Sequence, residues 1–186
     1  MKNFAIFILS VFILCNAAPA LAETSEKPFL KEFGILSGTG SGKLKTKDHY
    51  KFVPVIARFG FELIDLGPKN LFEFELEPYV GFVTDPETNK EYGANLLLKY
   101  GYFLTKRICP YVEGGAGVVY QKELTVNVGS HVSFLPQAGA GLTYFLNDNL
   151  AVNAGYRYRH LSDAGRKEPN RGINSDMWLT GISWFF

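Results

Sequence analysis

His160 and Ser162 stand two residues apart in the run Tyr158-Arg159-His160-Leu161-Ser162-Asp163-Ala164-Gly165. In extended backbone, residues i and i+2 project to the same face. The spacing therefore sets an imidazole beside a hydroxyl, the pairing that activates serine for attack on an ester. The signal is short, and the chain contains it twice, since His131-Val132-Ser133 repeats it. On spacing alone, an ordinary loop start, with a serine capping a turn, accounts for either copy. What separates the two is the wall on which each would stand.

That wall is built of strands. Eight segments have strand character: Phe29–Ser37, Tyr50–Phe61, Leu71–Val83, Glu91–Leu104, Cys109–Tyr120, His131–Leu146, Leu150–His160 and Asn174–Phe186. Turn residues break them at Gly67-Pro68-Lys69-Asn70, Asp85-Pro86 and Asn147-Asp148-Asn149. Within the strands apolar and polar residues alternate with period 2. Phe72, Phe74, Leu76, Val80 and Phe82 alternate with Glu73, Glu75 and Glu77. Leu150, Val152, Ala154, Tyr156 and Tyr158 alternate with Asn153, Gly155, Arg157 and Arg159. Strands of about 10–13 residues exceed the roughly 5–6 common in soluble sheets. Aromatics make up 15% of the chain, although its mean hydropathy is near zero. This is the signature of strands with apolar residues facing lipid and polar residues facing a lumen. The expected fold is all-β: an eight-stranded antiparallel transmembrane β-barrel with a side-chain-filled interior.

A barrel of about eight strands is just wide enough for side chains to fill it. Glu73, Glu75, Glu77 and Glu113 are expected to meet Arg58, Lys99, Arg157 and Arg159 there, because buried charges need partners. Gly115, Gly117, Gly139 and Gly141 fall on the same inward face and leave room for those groups. By parity His160 continues the outward face of Tyr156 and Tyr158, at the rim of the apolar wall. His131 and Ser133 fall on the inward face with Gln137, which marks that copy as interior packing.

Export is written at the start of the chain. Lys2, the apolar run Phe4–Leu14 and Ala20-Leu21-Ala22 form a secretory signal with cleavage expected after Ala22. Residues 1–22 are then the signal peptide and 23–186 the outer-membrane barrel domain. Cys109 is the single cysteine of the mature part, so no internal disulfide can form. The N-terminus enters from the periplasm, odd strands run outward, and Phe186 ends on the periplasmic side. A terminal aromatic resembles the signal read by the barrel-assembly machinery. His160, at the tip of the seventh strand, then lies at the outer surface.

The run from His160 to Gly165, the following Asn170-Arg171-Gly172-Ile173-Asn174 and a final amphipathic strand ending in phenylalanine together resemble the PagL-type lipid A 3-O-deacylases. The resemblance covers roughly the last third of the chain. It implies an eight-stranded barrel in the Gram-negative outer membrane, whose serine–histidine–acid site faces lipid. The implied reaction removes the ester-linked 3-hydroxyacyl chain of lipid A, a carboxylic-ester hydrolysis. It assigns His160 as general base and Ser162 as nucleophile, and places Asn170 and Gly172 in the oxyanion and substrate element. Where the family carries glutamate this chain has Asn174, which can orient the histidine through its carbonyl oxygen but brings no negative charge. Asp163 replaces the family's asparagine. Asp163, Glu168 and Asp176 are the acids near enough in sequence to stand in for the missing one.

Other chemistries find little support. His49, His131 and His160 are dispersed, with no metal-ligand spacing. There is no phosphate loop or nucleotide fingerprint, and no cofactor is called for. A net charge of +1 and interspersed basic residues give no nucleic-acid stripe. The expected partners are lipid A or lipopolysaccharide and outer-membrane lipids; homodimerisation is compatible with the sequence. Two further readings compete with the esterase. One is a non-catalytic barrel using the segments Thr39–His49, Asp85–Glu91 and Gln121–Ser130 as binding loops. The other is a small solute channel, which the charged interior disfavours.

Overall fold

The computed structural model describes residues 30–45 and 49–186; the expected signal segment, 1–22, lies outside them. Eight strands follow in chain order: β1 (Leu30–Lys43), β2 (His49–Glu62), β3 (Asn70–Asp85), β4 (Asn89–Tyr102), β5 (Ile108–Gln121), β6 (Val132–Phe145), β7 (Leu150–Leu161) and β8 (Ile173–Phe185). Each pairs antiparallel with the next, and β8 returns to β1. Closure leaves no unpaired sheet edge, the condition a lipid-embedded sheet must meet. The expected outward set is exposed, with Val152 at 39%, Tyr158 at 41% and Trp178 at 66%, whereas Glu73, Glu75, Glu77, Arg157 and Arg159 are buried.

Strand β1 runs further than its sequence suggested. Thr39–Lys43, read as the start of a loop, pairs with β2 through Gly42↔Tyr50 and with β8 through Gly42↔Ser175. The small residues that look like a loop are there because the lumen is crowded. A Cβ at Gly40 would lie 2.0 Å from the Phe52 ring.

The interior is layered. Its middle holds the expected ion pairs. Arg58 meets Glu77 at 2.9 Å and Glu113 at 3.0 Å, and Arg157 meets the same two acids at 2.6 and 2.7 Å. Two acids outside the expected set join them: Glu32 binds Lys99 at 2.5 Å, and Glu91 binds Arg159 at 2.9 Å. Toward the end that carries residues 122–131 and 162–172, the lumen turns apolar, with Tyr50, Phe52, Leu135, Leu161, Ile173 and Met177 packed together. At the opposite end Cys109, Phe145 and Ala151 pack against Leu71, Phe103 and Phe185. The charged layer is thus sandwiched between two apolar ones. An internal void of about 10 Å³ lined by Tyr79, Asn95, Gln137, Arg157 and Arg159 holds no more than one water. The packed charged layer leaves a solute no way through, which removes the channel reading. Of the four inward glycines, Gly139 makes room for a charged group, since a Cβ there would lie 3.1 Å from Glu113 Oε1, whereas Gly141 makes room for the Tyr111 hydroxyl, 2.4 Å from where its Cβ would stand.

Candidate active site

The last two strands place the histidine. In the β7–β8 ladder His160 pairs with Asn174, and the ladder ends one step later at Leu161↔Ile173. Both side chains of the first pair point outward, and those of the second are buried under the barrel's apolar cap. His160 is half-buried at the top of the wall that carries Tyr158 and Tyr156. Its Nδ1 stands 2.5 Å from Asn174 Oδ1. A carbonyl oxygen only accepts, so Nδ1 donates and Nε2 is left with its lone pair. That is the tautomer a general base needs.

Beyond Leu161 the chain leaves the barrel wall. Ser162 forms an isolated bridge to Phe134 of β6, with Phe134 N donating to Ser162 O at 2.7 Å and Ser162 N to Phe134 O at 3.1 Å. Among the described residues, no hydrogen bond joins Ser162 Oγ to His160. The serine is held toward β6 while the imidazole is held toward β8. The other flank of the loop explains the imidazole's placement. Gly172 has φ +65°, where a side chain is strained, and a Cβ there would lie 2.5 Å from His160 Cε1 and 3.0 Å from Nε2. The Cε1–Nε2 edge therefore lies over Gly172, at the mouth of the loop that Ser162 opens.

Asn170 lies across that loop. Its Oδ1 accepts from Asp163 N at 3.3 Å, and its Nδ2 is turned toward Gly165, 3.8 Å from where a Cβ would stand. This leaves an amide donor on the loop that Ser162 begins. None of the three acids considered as substitutes reaches the histidine. Asp163 is buried, and its carboxylate accepts from Gly165 N and Lys167 N, both at 3.0 Å. Glu168 accepts from Asn170 N at 3.4 Å. Asp176 accepts a short hydrogen bond from the Tyr156 hydroxyl. Asn174 is the residue on His160 Nδ1.

The second His-x-Ser copy behaves differently from its parity reading in one respect. Ser133 is buried in the lumen as expected. His131 lies just before β6 and is exposed: its Nδ1 contacts Gln121 O at 2.9 Å and its ring stacks on Tyr120. The ladder begins only at Val132, so alternation does not govern the residue before it.

Sequence reasoning did not foresee the support under the site. The segment Gln121–Ser130, a binding loop under the non-catalytic reading, buttresses the loop that follows β7. Asn127 is buried; its Nδ2 donates to Gly172 O at 2.9 Å, its Oδ1 accepts from Lys45 N at 3.1 Å, and its carbonyl accepts from Arg171 N at 2.8 Å. Gly129 N donates to Pro169 O at 2.7 Å. Asparagine's capacity to donate and accept at once makes it such a clamp, but only the fold brings these segments together. The carboxylates Glu32, Glu73 and Glu75 cluster closely enough to suggest a metal. Lys99 fills that role, with its ammonium 2.5, 3.4 and 3.3 Å from the three.

Barrel and rim together define a class: an outer-membrane β-barrel with an oriented histidine on its lipid-facing wall. Residues 70–183 match the family described as lipid A 3-O-deacylase (PagL). The lipid A deacylase PagL of Pseudomonas aeruginosa is 37% identical over 76 residues, a stretch spanning 39% of this chain and 42% of that relative. The crystal structure of the outer-membrane enzyme PagL superposes with a TM-score of 0.66 at 19% identity, covering 80% of this chain and 97% of that one. Neisserial surface protein A gives a TM-score of 0.63 at 16% identity, covering 83% and 96%; at these identities both likenesses speak for the barrel. The chain belongs to the lipid A 3-O-deacylase (PagL) family.

Proposed function

We propose that this protein is an outer-membrane serine esterase that removes the ester-linked hydroxyacyl chain at the 3-position of lipid A. The observation that carries the reading is the His160 Nδ1–Asn174 Oδ1 hydrogen bond on the lipid-facing wall. A polar pair at such a level is costly without a use, and a lipid ester is the substrate that reaches it without leaving the membrane. The protein acting there is residues 23–186, after cleavage behind Ala22.

Ser162 Oγ attacks the acyl carbonyl while His160 Nε2 takes its proton. Asn174 holds the imidazole in the donating tautomer throughout. The tetrahedral oxyanion is met by Asn170 Nδ2, a type of donor worth about 3–4 kcal/mol in acyl transfer. The imidazolium returns the proton to the departing sugar oxygen, and water then releases the acyl chain from Ser162 by the same route. Catalytic hydrogen bonds are often long in unliganded sites and tighten around substrate, so closure of Ser162 onto Nε2 belongs to the substrate complex. Asn174 supplies orientation without charge, which fits a turnover slower than that of a site with a carboxylate.

The test is expression in a strain of known lipid A, followed by mass spectrometry of the extracted lipid. One hydroxyacyl chain should be lost, and the loss should vanish in Ser162→Ala and in His160→Ala. Intact lipid A beside a correctly inserted wild-type barrel would overturn the assignment.

A further inference from the structure

Arg166 has a geometry that the hydrolytic steps do not use. It lies on the loop after β7, yet its side chain folds back over the outer face of β6. Its Nε donates to Asp163 O at 2.9 Å and its Nη2 to Val132 O at 2.9 Å. Its guanidinium sits over the Phe134 ring, 5.0 Å from the centroid. Phe134 is the residue whose backbone clamps Ser162, so the cation stands on the same support as the hydroxyl.

Both partners of the guanidinium are backbone carbonyls, which hold it in place without neutralising it. Among the described residues no carboxylate pairs with it. The nearby Asp163 is turned inward and saturated by Gly165 N and Lys167 N. A guanidinium has five N–H donors, and the two carbonyls use two, leaving three turned elsewhere. The loop is basic besides, with Arg166, Lys167 and Arg171 exposed against the single exposed acid Glu168. A fixed planar fork with spare donors and an uncompensated charge suits a phosphate, which takes arginine bidentately. Placed at the rim of the apolar wall, it stands at headgroup level.

We infer that Arg166 is the anchor of a phosphate subsite that holds the phosphorylated sugar of the lipid substrate beside Ser162. The inference rests on the esterase reading for the identity of the lipid, but not for its measurement, because binding can be read without turnover. The Ser162→Ala protein is titrated in detergent with phosphorylated lipid A, with lipid A stripped of its phosphates, and with phosphatidylglycerol, following the emission of Trp178 and Trp184. Phosphorylated lipid A should bind about tenfold more tightly than the stripped form, as one charge-assisted hydrogen bond provides. In Arg166→Ala that ratio should fall to about one, and Arg166→Lys should retain part of it. The barrel's heat-modifiable gel mobility confirms that each variant is folded.

An unchanged ratio in Arg166→Ala overturns the inference, as does an equal loss for both forms of lipid A, which would make Arg166 a loop staple. Phosphatidylglycerol losing affinity as much as lipid A would reassign the anchor to bulk phospholipid and also overturn it. Phosphate-selective binding by a wild-type protein that hydrolyses nothing would sink the esterase and leave the subsite standing. Hydrolysis indifferent to phosphate would do the reverse.

Discussion

The barrel keeps polar groups in apolar surroundings twice, and solves the problem differently each time. In the lumen, Arg157 meets Glu77 at 2.6 Å and Glu113 at 2.7 Å, with all three side chains almost wholly buried. On the outer wall, His160 meets a neutral amide. Charge answers charge inside, because a buried ion without a partner is severely penalised. Outside, a half-exposed imidazole needs only a hydrogen-bond acceptor. The difference separates structure from chemistry: the lumen network is closed on itself, whereas the wall site keeps Nε2 and the loop mouth open.

The comparison can be broken most sharply from the inside. Arg157→Met leaves Glu77 and Glu113 to share Arg58 alone, with one negative charge left without a partner, and unfolding by urea in lipid vesicles should show a loss of about 3–5 kcal/mol. Unaltered stability would mean that the lumen charges are not a supporting network. Next in size, Gly172→Ala should leave the barrel folded while cutting hydrolysis about a hundredfold, because the new Cβ displaces the imidazole and small misplacements carry such costs. An active Gly172→Ala enzyme would show that His160 does not work where it stands. Replacing the neutral partner tests the outer solution directly. Asn174→Glu should raise kcat about tenfold, since a charge-assisted bond is roughly twice as strong as a neutral one. A fall in kcat would mean that the wall is built to reject a carboxylate there. The smallest effect belongs to the buttress: Asn127→Ala removes the bonds to Gly172 O and from Lys45 N, and the loss at Gly172 should cost about 1 kcal/mol, read as a drop of a few-fold in activity at unchanged substrate specificity.

The alternation of Phe72–Phe82 with Glu73–Glu77, and of Tyr156 and Tyr158 with Arg157 and Arg159, made strand, face and barrel legible, because a period-2 pattern allows a strand one orientation when one side meets lipid. It also carried His160 to the outer rim. It failed for His131, which precedes its ladder, and for Thr39–Lys43, whose small residues resemble a loop until Phe52 is seen beneath Gly40.

By itself, then, the sequence determined which residues face outward and which strands form, since side-chain direction along a strand is local. It also carried the motif that named His160, Ser162, Asn170, Gly172 and Asn174. Tertiary structure alone decided which acids neutralise which bases, that Asp163 and Asp176 are spent on other partners, and that Asn127 and Phe134 hold the loop. Those contacts join residues far apart in the chain. They exist only after the barrel has closed and brought its loops together, and no local period encodes that meeting.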